Sequence, residues 1–179
     1  MHIKEIYKSI YRYWDDTTPL YGDCGELCGK ACCDTDDAIE EETGMYLFPG
    51  EAALFQGDTN FSVVPSEFTY EANNKEKIAD LLICKGPCTR ENRPLSCRIF
   101  PLVPYYKNGT LTVVQDPRAK HICPLAQEGA MQYVNPAFIR KTEKTFRMLL
   151  AFSEVRAYLT GLAEILDDYF KFQSPEAIR

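Results

Sequence analysis

The sequence predicts a mainly α fold with a small β-hairpin, in which a loop-rich cysteine metal-binding module packs on N- and C-terminal helices. Three observations predict it. Apolar residues recur at helical spacing near both ends of the 179-residue chain, an Asn-Gly pair sits between β-prone runs, and four of the eight cysteines fall within one short stretch. This length suits one ordinary core, and no Ser/Gly/Pro-rich linker divides it. The expected organisation is a single domain, 1–179, made of an N-terminal helix (1–14), the cysteine module (20–125) and C-terminal helices (135–172).

Ile3, Ile6, Tyr7, Ile10, Tyr11 and Trp14 fall on one face at helical spacing, which gives an amphipathic first helix. Its aromatic stripe reads as packing against the body of the protein, because aromatic rings carry large burial energies. Asp15-Asp16-Thr17-Thr18-Pro19 ends it. Phe48-Pro49-Gly50-Glu51 introduces a short helix that stops near Gly57, and residues 61–71, interrupted by Pro65, read as short extended pieces. Asn108-Gly109 is the two-residue turn of the hairpin. From Asn135-Pro136 onward, Phe138, Phe146, Leu149, Val155, Tyr158, Leu162, Leu166 and Phe170 recur at helical intervals. They give one long helix, or a pair broken near Ser153 or Gly161.

The chemistry lies in the cysteines. Asp23-Cys24-Gly25-Glu26-Leu27-Cys28-Gly29-Lys30-Ala31-Cys32-Cys33 has the spacing C-x3-C-x3-C-C, too dense for an ordinary disulfide framework and suited to thiolates converging on a metal. Cys84, Cys88, Cys97 and Cys123 complete the set, and eight thiols divide arithmetically into two four-sulfur sites. In one straight helix Cys24 and Cys32 would lie about 12 Å apart along the axis, at about 1.5 Å per residue. A tetrahedral zinc holds its sulfurs within about 4 Å of one another, so either this segment winds round the ion as a loop or neighbouring cysteines serve different sites. Gly25 and Gly29 favour a close-wrapping backbone. Gly86-Pro87 turns Cys84 towards Cys88, and in Arg93-Pro94-Leu95-Ser96-Cys97-Arg98-Ile99-Phe100-Pro101 the cations Arg93 and Arg98 are placed to neutralise thiolate charge. His121 is an alternative ligand beside Cys123. The acidic run from Asp34 to Glu42 reads as a solvated helix face, since it lacks the glycine-centred pattern of a calcium loop.

No apolar stretch reads as a signal peptide or a membrane span, so a soluble, cytoplasmic chain is expected, in which cysteines persist as thiols or metal ligands rather than disulfides. The formal charge of −6 contains no basic block, which argues against nucleic acid or an anionic membrane as a partner and leaves a metal ion as the partner expected.

With the cysteine run, the Cys84/Cys88 arm, the Arg93–Pro101 segment and Cys123-Pro124, the chain resembles the YkgJ-like cysteine-cluster family of zinc- or iron-chelating domains, over roughly residues 24–124. The R-P-x-x-C-R-x-x-P segment after a cysteine cluster is the most specific part of the resemblance. Both gaps in the run are three residues here, whereas the family's usual spacing is C-x2-C-x2-C-C, and the terminal helices lie outside the resemblance. The resemblance implies chelation of zinc, iron or an iron–sulfur cluster by the eight cysteines, with the metal at least partly structural. An enzyme or redox protein is the alternative. Similar clusters accompany methyl transfer in flagellin lysine methylases, but the chain has no Gly-rich nucleotide loop, and without a C-x-x-C motif it does not read as a thioredoxin-type exchanger.

Overall fold

The computed structural model describes residues 3–33, 44–85 and 88–172. The acidic run at 34–42 and the Gly86-Pro87 turn lie outside the described residues.

Helix α1 (Ile3–Tyr13) buries Tyr7 and Ile10, and Trp14 follows it fully buried. The Trp14 ring meets Phe138 edge-on at 5.5 Å, and its indole N–H donates to Thr145 Oγ1 at 2.9 Å. Both partners sit on α4 (Pro136–Leu149), capped by Asn135 with Pro136 at its first turn. The last helix, α5 (Ser153–Phe172), follows after a break at 150–152. Gly161 does not break it. It faces the sheet instead, where an added Cβ would come within 3.2 Å of Tyr70 and 3.3 Å of Phe68.

The expectation of a mainly α protein is overturned: about 48 % of the described residues are helical and 24 % lie in strands, arranged as two antiparallel sheets in a mixed α/β protein. The larger sheet has the order β1-β3-β2, built from β1 (Gly44–Tyr46), β2 (Phe61–Ala72) and β3 (Lys75–Cys84). Residues 61–71 are thus one long strand rather than short pieces. Pro65 lacks a ladder donor, and the register shifts between Pro65 and Thr69. There Ser66 substitutes for the ladder, its hydroxyl donating to Ala79 O at 2.7 Å while Phe68 N donates to that hydroxyl at 3.2 Å. Strand β3 carries little local signal, because its first four residues are exposed and its turn is Asn73-Asn74, both with positive φ, rather than a glycine pair.

The smaller sheet is the hairpin of β4 (Leu102–Lys107) and β5 (Thr110–Gln115), turned at Asn108 and Gly109 with φ of 52° and 76°. Helix α5 packs on both β2 and β4. Tyr158 lies within 5.0 to 5.5 Å of the rings of Phe68, Tyr70 and Phe48, and Asp167 accepts from Tyr105 at 2.7 Å and pairs with Lys107 at 2.6 Å. The helix residues and strands therefore share one core, while Leu47, Phe55, Phe61 and Leu82 form a second small cluster with Cys84 and Cys88 against it. The short helix expected after Pro49 is a 3-10 turn, Glu51–Leu54. No described helix is long and apolar enough to cross a membrane.

Glu51 joins these parts. It is fully buried and accepts from Tyr11 Oη at 2.5 Å, Phe48 N at 3.0 Å and Leu95 N at 2.6 Å. Burial pushes its carboxyl above the ordinary value, against the opposing pull of these donors and of Arg98. The folded chain then keeps the Glu51 proton to a higher pH than the unfolded chain does. This contribution to stability is full below the unfolded value and is lost as pH rises through the folded one. Urea unfolding at steps across that window should show the parent losing stability with rising pH relative to Glu51→Gln; a constant difference between the two would contradict it. Glu51→Ala, which leaves three buried donors unpaired, should cost about 3 kcal/mol.

Candidate functional site

The cysteine run folds as two short pieces set at an angle. Asp23 caps α2 (Cys24–Cys28), its carboxylate accepting from Gly25 N at 2.9 Å, which puts Cys24 and Cys28 one turn apart on the same face. Gly29 and Lys30 both have φ of 62°, the left-handed conformation that ends a helix, and the chain reverses into a 3-10 turn, Ala31–Cys33. The segment is therefore neither one straight helix nor an open loop.

The other cysteines arrive from three places. Cys84 ends β3, and Cys88 follows a few residues later. Cys97 lies in α3 (Leu95–Ile99), and Cys123 follows a 3-10 turn, Pro117–His121, capped by Asp116. That cap is buried and holds Arg118 through two hydrogen bonds, at 2.8 and 2.7 Å. All eight cysteines are free thiols.

Electrostatic influence and the cavity lining link them in two overlapping sets. Cys24 is raised by burial first and then by Asp23, Cys28 and Cys123, while Cys123, also raised by burial, feels Cys28. In the second set burial pushes Cys84 up to about 11, with Cys88 and Cys33 adding to it. Cys97 is raised strongly by burial, then by Cys84, Cys33 and Cys88. Cys88 is raised by burial and Cys33. The vicinal pair links the two sets: Cys33 raises Cys84, Cys88 and Cys97, whereas Cys32 feels Cys33 and Cys97 and lines a cavity with Cys24, Cys28, Cys97 and Cys123. Among the described residues, no three or more His, Cys, Asp and Glu side chains form a group that could hold a metal ion as they stand.

Arg93 stands between the sets. It lowers Cys24, Cys32, Cys33, Cys88 and Cys97, and it hydrogen-bonds Cys88. Its Nε is buried with no partner among the described residues. Arg98, the other arginine expected to serve the thiolates, spends its donors on backbone instead: on Arg93 O at 2.8 Å, Glu91 O at 2.7 Å and Tyr11 O at 3.4 Å. Its guanidinium stacks 4.3 Å over the Tyr11 ring. Arg98 thus fixes the segment that carries Arg93. Arg90, unremarked in the sequence, ties the same segment to the carbonyls of Asp15 and Thr17.

The first set opens on a cavity of about 110 Å3. Cys24, Cys28, Cys32, Cys97 and Cys123 line it together with Arg90, Arg93 and Arg98 and with apolar side chains such as Leu20, Leu27, Phe100 and Ile122. No acidic side chain among the described residues lines it, in a chain whose formal charge is −6. His121 is exposed on its turn and is not part of the lining.

What the sequence reading missed is Glu51, whose Oε1 accepts from the first amide of α3 and so orients Cys97. Glu51's contact with the Phe48 amide three residues back is local, but no cap motif marks it in the sequence. Its long-range partners carry no signal either.

The donors around Cys33 give an ordering of thiol reactivity in metal-free protein. A hydrogen bond from Cys32, then Arg93 and Lys30, lower Cys33 to about 6 against the effect of burial. Cys33 should therefore alkylate first at neutral pH and Cys97 last, as read by mass spectrometry of quenched samples, and Arg93→Ala should slow Cys33. Equal rates for all eight thiols would contradict this arrangement.

Comparison with protein-family models, curated proteins and solved structures finds no match to this chain.

Proposed function

We propose that this is a thiolate metal-binding protein in which Cys24, Cys28, Cys32 and Cys123 serve one centre and Cys33, Cys84, Cys88 and Cys97 a second, both suited to zinc or iron. The observation that carries the reading is the gathering of eight free thiols, from parts of the chain as distant as Cys24 and Cys123, into two overlapping sets around one arginine. The donor chemistry fits. Thiolates are soft ligands that select zinc and iron–sulfur centres over hard cations. The resemblance of the Arg93–Pro101 segment to the YkgJ-like family supports the same reading.

The metal's structural role is local. Two sheets and three packed helices already supply a core, so the ion acts on the cysteine-bearing segments 20–33, 88–98 and 117–126. A divalent ion with four thiolates carries about −2 net charge, costly to bury without a cation nearby. Arg93 supplies it.

Elemental analysis of freshly purified, fully reduced protein should find at least about one equivalent of metal per chain. Less than about half an equivalent, with all eight thiols titratable in the native state, would overturn the reading. After chelation, hydrogen exchange should rise in the three cysteine-bearing segments while β2, β3, α4 and α5 stay protected.

Arg93→Ala should weaken metal retention by about tenfold or more in competition with a chelator, as the loss of a group that supports ligands does. Arg147→Ala, on an exposed face of α4 where it pairs with Glu143, is the control. Equal release from the two variants would remove Arg93 from this role.

A further inference from the structure

We propose that Tyr11, on the N-terminal helix, is the positioning residue for the Cys97 thiol, acting through Glu51 and Arg98, so that metal retention at Cys97 depends on a side chain that supplies no ligand. The consequence for metal rests on the metal-binding reading above. The placement of Cys97 rests on geometry alone.

The thiol-bearing elements differ in what holds them. Asp23 caps the helix of Cys24 and Cys28, and Asp116 caps the turn that leads to Cys123, each carboxylate accepting from the amide two residues on. The helix that carries Cys97, α3, has no such local partner. Pro94 stands at its N-cap and offers no side-chain acceptor. In a helix of five residues most amides lie in the first turn, where they have no partner within the helix.

A carboxylate distant in sequence takes over. Glu51 Oε1 accepts from Leu95 N, the first amide of α3, at 2.6 Å, and the same oxygen accepts from Tyr11 Oη at 2.5 Å. Phe48 N donates to the other oxygen, Oε2, at 3.0 Å. Phe48 is a near neighbour of Glu51 in the chain, so Tyr11 is the donor that ties this carboxylate to a separate element. Without the Tyr11 hydroxyl, the oxygen that holds Leu95 loses the second donor that fixes its direction.

Tyr11 meets α3 again at Arg98. Its ring lies 4.3 Å from the Arg98 guanidinium, stacked beneath it, and its carbonyl accepts from Arg98 Nη1 at 3.4 Å. Tyr11 thus bears on α3 at Leu95 and at Arg98, and Cys97 lies between the two points. Ser96 tethers the same helix to Tyr46 O at 2.7 Å. A change at Tyr11 therefore leaves α3 docked and alters the direction in which it presents its thiol. Hydrogen bonds behind a ligand set its orientation towards the metal, and their loss weakens binding although no ligand is removed.

The test compares Tyr11→Phe with Tyr7→Phe. The second variant removes a buried phenol hydroxyl from the same helix, one that donates to Pro49 O at 3.2 Å rather than to Glu51. In reduced, metal-free protein, quenched alkylation read by mass spectrometry should show Cys97 reacting about tenfold faster in Tyr11→Phe than in the parent, as the loss of one buried hydrogen bond allows. Cys24 and Cys123 should be unchanged, and Tyr7→Phe should keep the parent's ratio of Cys97 to Cys123 rates, with urea unfolding reporting the stability each variant loses. Tyr11→Leu, which also removes the ring beneath Arg98, should go further than Tyr11→Phe. After loading with zinc, Tyr11→Phe should release the ion to a chelator about tenfold faster than the parent, with Cys97 among the thiols newly open to alkylation, while Tyr7→Phe matches the parent. An unchanged ratio in Tyr11→Phe, or the same rise in both phenylalanine variants, would overturn the positioning role. A raised ratio with unchanged zinc release would overturn its bearing on the metal. A parent that binds neither zinc nor iron would overturn the metal-binding reading and the retention claim with it, and the alkylation ratio would still decide the placement of Cys97.

Discussion

Three donors from three parts of the chain end on the Glu51 carboxylate: the Tyr11 hydroxyl of α1, the Phe48 amide before the 3-10 turn, and the Leu95 amide that opens α3. A buried carboxylate is tolerated only when its lone pairs are used, and these donors use them. The constraint runs outward. Fixing Leu95 fixes the start of α3, hence Cys97 and Arg98, and Arg98 in turn stacks on the ring whose hydroxyl Glu51 holds. Around this closed circuit the N-terminal helix, the sheet edge and the thiol-bearing segment share one frame.

Local codes were legible in the sequence. The apolar spacing of α1, the Asn135-Pro136 start of α4 and the Asn108-Gly109 turn each lie within a few residues of the structure they specify. The larger sheet was not legible, for a physical reason. β3 gains its strand character from pairing with β2 and β1, so exposed Lys75, Glu76 and Lys77 sit in a strand on the strength of partners elsewhere in the chain. Pro65 argued against a continuous β2, and only Ser66, by taking over the hydrogen bonds that Pro65 disrupts, shows how the strand survives it.

At the site, residue types were legible and geometry was not. The cysteines and both arginines stand out by chemistry, but which arginine faces sulfur depends on what else competes for its donors. Arg98 lies directly beside Cys97 in sequence, yet three carbonyls and the Tyr11 ring capture it. Arg93, four residues before that cysteine, reaches the thiols. Adjacency in an α-helix turns successive side chains to different directions, so the immediate neighbour of a ligand is a poor candidate to touch the same centre.

The vicinal pair makes the same argument in reverse. Cys32 and Cys33 are adjacent, close enough for one thiol to donate to the other, and Cys32 also feels Cys97 while lining the cavity with Cys24, Cys28 and Cys123. A run of four cysteines meets thiols from several elements here because its backbone changes direction inside the run. Gly29 and Lys30 supply that change, each with φ of 62°. Gly29 takes this conformation without a Cβ penalty, and Lys30 takes it with the hydrogen bond from its amide to Gly25 O in place. The three-residue gaps then have a geometric meaning: the first keeps Cys24 and Cys28 on one helical face, and the second holds the reversal that separates them from Cys33.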